Sequence, residues 1–137
     1  MSSTPNFAVS PHVESGVPPG AAANINTDAP TNTVLICAAP ADKPMSVTRI
    51  TAVPRASLAA VTPAYLFTSA NATGTVQRLK DSTNIQVQTL SATNGPTKAV
   101  FGDYSPTTPI NLGPGQSLWG GLGSAQNVVF QAEVADF

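Results

Sequence analysis

No stretch of eleven or more residues in this chain keeps its apolar residues on a helical step, and this constrains the fold more than any other feature. Short runs rich in β-branched and aromatic residues take the place of helices. Residues 32–38 (NTVLICA), 46–53 (SVTRITAV), 64–69 (AYLFTS), 75–80 (TVQRLK) and 117–122 (SLWGGL) each read as a strand. Residues 57–61 and 98–101 are shorter candidates. In 85–90 (IQVQTL) and 127–134 polar and apolar residues alternate, which places Val128, Phe130, Ala132 and Val134 on one sheet face. Pro, Gly and Asn punctuate the runs at 39–44, 71–74, 94–96 and 113–115. The Ala-rich stretch 56–64 is the best helical candidate, but Pro54 and Pro63 bracket it closely. Seven to nine short strands with turns every 8–12 residues predict an all-β fold, an antiparallel β-sandwich, jelly roll or barrel.

Residues 1–31 differ in texture. They contain Pro5, Pro11, Pro18, Pro19 and Pro30, and proline blocks both helix and central strand. The expectation is two regions: an extended, Pro-rich N-terminal arm over 1–31 and a β-sandwich domain over 32–137. The arm carries Phe7, Val9, Val13, Val17 and Ile25 at intervals, like pegs for a groove on a neighbouring subunit; a disordered tail is the plainer reading.

Composition narrows function. Of the 137 residues 9% are charged and 42% are apolar, so hydroxyls, amides and small side chains fill much of the surface. An average soluble domain is about 25% charged. A surface poor in ions is cheap to desolvate, which suits lasting subunit contacts. The net charge is −1, and the six basic residues are scattered, so direct nucleic-acid binding is not expected. No apolar stretch is long enough for a transmembrane helix, and the first 30 residues lack the pattern of a secretory signal.

Catalytic patterns are missing. The single histidine, His12, lies in the proline-rich leader, and the seven carboxylates are spread singly. Neither a nucleophile–base arrangement nor a zinc or calcium ligand set is legible, so no catalytic residue, metal or cofactor is expected. The single cysteine, Cys37, sits in an apolar run that reads as core; the sharper alternative is an interface or intersubunit thiol. Trp119 lies among glycines and reads as a core or interface residue, or, with Tyr65 and Tyr104, as a ligand-contacting aromatic. The Asn71-Ala72-Thr73 acceptor pattern reads as chance.

The segments TVLIC, SVTRITAVPRA, AYLFTSANATGTVQRLKDS, FGDYSPTTPINLGPGQSLWGGLG and VVFQAEVADF together resemble a group of small virion structural proteins of tailed bacteriophages, over about residues 32–137. The stretch PINLGPGQSLWGGLG is similar to the turn into a late strand in jelly-roll and tumour-necrosis-factor-like sandwiches. The resemblance implies a jelly-roll-like sandwich and a capsid decoration or cement protein, with no functional residue carried over. The implied partners are further copies of the chain, a homotrimer favoured, and the major capsid protein or other virion proteins. The implied location is the phage particle, on the head surface, after assembly in the host cytoplasm. The alternative function is a receptor- or glycan-binding spike or fibre module, or another tail or neck component.

Overall fold

The structure, a computed structural model, describes residues 10–136. Among them are nine strands and no helix: β1 (Ser10–Gly16), β2 (Val34–Ala38), β3 (Met45–Pro54), β4 (Thr62–Ser69), β5 (Gln77–Ile85), β6 (Ala99–Val100), β7 (Ile110–Leu112), β8 (Ser117–Leu122) and β9 (Val128–Asp136). They form two antiparallel sheets packed face to face. Sheet A runs β1-β9-β3-β6 with β7 also on β3, and sheet B runs β2-β8-β4-β5. The two short strands are pieces of one interrupted strand. Val100 and Ala99 pair with Thr51 and Ala52, Ile110 to Leu112 pair with Val47 to Met45, and residues 101–109 loop out between them. Counted so, each sheet has four strands, and the chain visits them in jelly-roll order. The all-β sandwich expected from the sequence is what forms.

Alternation explains how the sheets join. Val128, Phe130, Ala132 and Val134 of β9 are buried, whereas Gln131 and Glu133 between them are exposed. Facing them from sheet B are Leu66, Leu118 and Leu122. Phe101 and Phe130 stack at the centre, with centroids 5.9 Å apart. A Cβ on Gly120 would come within 2.9 Å of Ile36 and 3.1 Å of the Phe130 ring, so this glycine makes room for the largest core side chain beside it. The 113–115 turn is type II in character: Pro114 leads, Gly115 takes φ +77°, and Gln116 N–H donates to the Gly113 carbonyl at 3.0 Å.

Two expected strands shrink. Residues 57–61 supply only Leu58, buried and exchanging two backbone hydrogen bonds with Gln88. The alternating stretch 85–90 contributes Ile85, as the end of β5, and the single bridge from Gln88 to Leu58. The partner strand β4 begins opposite Ile85 at Thr62, so no ladder remains for residues 86–90.

The leader differs most from expectation. Residues 10–16 do not reach away from the sandwich. They pair with β9 over seven register positions, from Ser10↔Asp136 to Gly16↔Phe130. Pro11 is tolerated there because β1 is an edge strand, where a missing amide donor breaks no second ladder. The division at residue 31 therefore does not separate the described residues: 10–31 pack on the body that 32–136 form.

Candidate interaction surfaces

The leader continues from β1 onto the outer face of sheet B. Ala22 N–H donates to the Leu122 carbonyl at 2.7 Å. Residues 21–32 then make a closed loop. Thr31 N–H donates to the Ala23 carbonyl, and the Asn32 side-chain amide donates to the Ala21 carbonyl at 2.8 Å. Asn24 and Asn32 take positive φ, 57° and 56°, a region that asparagine enters more easily than other non-glycine residues. The loop's far end reaches β5: Asp28 accepts Gln77 N–H on its carbonyl, and its carboxylate pairs with Arg78 at 3.1 Å. That exposed pair holds the Asp28 carboxyl below its ordinary value, through the hydrogen bond and charge of Arg78.

Beneath this strap lies Phe67. The β4–β8 register puts Tyr65, Phe67 and Ser69 opposite Gly121, Trp119 and Ser117, the set that faces away from the core. Phe67 is nevertheless fully buried. Ala22, Thr33 and Phe67 meet over Gly121, where a Cβ would lie 3.0 Å from the Ala22 methyl, 3.4 Å from the Phe67 ring and 3.5 Å from the Thr33 methyl. Gly121 thus lets the strap lie close on the sheet. Gln77, also buried, ties the layers together. Its backbone N–H goes to Asp28, its side-chain N–H donates to the Gly74 carbonyl at 3.1 Å, and its side-chain oxygen accepts from Thr33 at 2.9 Å.

The aromatic residues singled out from the sequence sit in separate settings. Trp119 packs one side against Gly74, where a Cβ would be 2.5 Å from its ring. Its N–H donates to Ser117 Oγ at 2.8 Å, and Ser117 Oγ donates to the Asn71 carbonyl. Tyr65 lies near Phe67, ring centroids 6.4 Å apart. Tyr104 belongs to the 101–109 excursion, and its hydroxyl donates to Asp81 of β5 at 3.0 Å. Burial, with the Asp81 carboxylate second, pushes the Tyr104 hydroxyl up to about 12. Trp119 and Tyr65 thus share a face, whereas Tyr104 is held elsewhere by β5.

Cys37 is a core residue, 1% exposed. Burial, with Glu14 and Asp136 adding to it, pushes its thiol up to about 12. The interface-thiol alternative fails on this ground: an intersubunit disulfide needs a sulfur at the surface. Of the expected pegs, Phe7 and Val9 lie outside the described residues. Val13 projects from the outer face of sheet A and is 62% exposed, Val17 is partly exposed, and Ile25 is half-buried in the strap. His12 and Glu14 are neighbours on β1, 3.2 Å apart.

Among the described residues no strap lies on the outer face of sheet A. Its rows, read across β1, β9, β3 and β6, are Val13–Glu133–Arg49 and Ser15–Gln131–Thr51–Val100, flanked by Val129–Val53. Arg49 and Glu133 are the only charged residues in these rows, and they stand opposite each other. Lys98 borders a small depression with Val13, Thr51 and Val53. The remainder is hydroxyl, amide and valine.

Sequence reasoning missed Phe67 as a covered outer-face residue and Gln77 as the tie. The usable signals were the two asparagines closing 21–32 and the glycine pair beside Trp119. Comparison of the chain with protein-family models, with curated proteins and with solved structures finds no match.

Proposed function

We propose that this chain is a non-enzymatic structural subunit of a virion, a decoration or cement protein that acts through contact area on a phage head. The observation that carries the reading is the contrast between the two outer faces. The chain lays part of its leader on sheet B, whereas among the described residues no segment lies on the outer face of sheet A, which turns Val13, Ser15, Gln131 and Val100 to solvent and carries few charges. A bare face of hydroxyls, amides and valines loses little hydration when a neighbour covers it. The bacteriophage resemblance supports the same role, and a symmetric oligomer, a trimer favoured, is the natural way to present several such faces at a junction between shell subunits.

The experiment is cosedimentation with empty shells of the capsid protein encoded in the same genome, alongside sedimentation equilibrium of the purified chain. Val13→Lys and Gln131→Lys place charges at exposed positions of this face. The expected result is a folded protein that has lost self-association or shell binding by at least tenfold. Unchanged association in both variants would reject the face as the contact surface. The alternative glycan-binding role is served less well by this geometry, because Trp119 has its N–H and one side of its ring already engaged.

A further inference from the structure

The sandwich has two lateral seams. One, between β1 and β2, is narrow: a Cβ on Gly16 would lie 2.5 Å from the Leu35 carbonyl. The other runs between the β5 edge of sheet B and the β6–β7 edge of sheet A. The 101–109 excursion closes part of this second seam, anchored by the Tyr104–Asp81 hydrogen bond. The rest is an open cleft of about 450 Å³.

Its lining is one-sided in chemistry. Arg78 and Lys80 bring two positive charges from β5. Asn111 and Gln116 bring two amides whose oxygens are already occupied. Asn111 Oδ1 accepts from Ser46 at 3.1 Å, and Gln116 Oε1 accepts from Gly113 N–H at 2.7 Å. Both amides therefore have NH₂ groups left to offer. Arg78 is partly engaged by Asp28 in an exposed pair, and Lys80 has no ion-pair partner among the described residues. No carboxylate lines the cleft, and its floor is aliphatic, formed by Ile110, Leu112 and Val76. Neither β5 nor β7 pairs with a strand on the side facing the seam.

We propose that this cleft docks an extended acidic segment of a partner polypeptide. Donors without acceptors call for carboxylates. Arg78 and Lys80 both line the cleft, Lys80 from the β-bulge at which Leu79 and Asp81 oppose Phe67 and Leu66, and together they offer two cations to the acidic side chains of an extended peptide. The aliphatic floor accepts the small apolar side chains between them. No aromatic ring is present in the lining to stack on a sugar, which favours a peptide over an acidic glycan. The free edges of β5 and β7 offer backbone groups to such a strand. The inference stands apart from the role proposed for sheet A.

The test uses the full chain, ¹⁵N-labelled, titrated with the peptide acetyl-Ser-Glu-Val-Glu-Thr-Glu-Ser-amide and with its counterpart carrying Gln for every Glu. The expected result is amide shifts confined to residues 76–80 and 110–116 with the Glu peptide only. Binding weakens at least tenfold in Lys80→Glu, a position with no internal partner to disturb, and falls further with added salt. Arg78→Gln gives a second loss; because it also frees Asp28, it is read only with the remaining spectrum unchanged. Absence of shifts at millimolar peptide, or equal binding of the Gln peptide, overturns the proposal. So does binding of an oligouronate while the Glu peptide stays silent. Lysine substitutions at Val13 and Gln131 on sheet A leave this titration unchanged, so the two readings fail separately.

Discussion

Replacing Phe67 by alanine asks whether the leader is a strap or an arm. Phe67 points away from the inter-sheet core, yet none of it is exposed. Ala22 of the leader lies beside it above Gly121, together with Thr33 just ahead of β2. If the leader stays docked on its own sheet in solution, Phe67→Ala removes a buried aromatic ring and should cost about 3–5 kcal/mol. With a urea m-value of about 2 kcal/mol/M, the unfolding midpoint falls by about 1.5–2.5 M. If the leader instead swings free, the ring is already solvated and the change costs under about 1 kcal/mol, as for an ordinary surface site. Urea unfolding followed by far-ultraviolet circular dichroism distinguishes these outcomes, with Val61→Ala, at an exposed position, as the control. A Phe67→Ala loss indistinguishable from that of the control refutes the strap. The strap also revises what a leader deletion should do. Removing residues 2–30 deletes β1 and uncovers Phe67, so destabilisation is expected where a free arm would leave the domain intact.

Gly74→Ala should cost about 2–4 kcal/mol. It combines a strained backbone at φ +67° with a Cβ 2.5 Å from the Trp119 ring, and the emission of the single tryptophan reports the displacement. Cys37 should resist a thiol reagent in the native protein and react once per chain in denaturant; native reaction at the unfolded rate would contradict its burial. Stability should hold up to about pH 8.5 and fall as pH rises toward 12. The unfolded chain releases protons from Cys37 and Tyr104 at ordinary values, about 8.5 and 10, while the folded chain retains both until about 12. Midpoints measured across that range check the sign, and Tyr104→Phe should flatten the slope.

Much of the sandwich was legible because β-branched runs with turn residues between them leave few other options. The 128–134 alternation located the inner face of β9 residue by residue. Position 85–90 misled because alternation shows that a segment could be half-buried, but not whether a partner strand extends far enough to pair with it. β7 is three residues between a proline and a glycine, too short to show a period. The leader was misread for a physical reason. Its prolines exclude a central strand, but an edge strand and a loop lying on a glycine-lined sheet face tolerate them. The lateral cleft joins residues of β5 to residues thirty or more positions later, so no local spacing pointed to it.

The proposed role requires the outer face of sheet A to meet a neighbour. An electron cryomicroscopy reconstruction of capsid shells incubated with the protein tests this most directly. It should place the Ser15–Gln131–Thr51–Val100 row against an adjoining subunit at a junction of the shell. Shells carrying no added density, or a bound chain with that row turned to solvent, would contradict it.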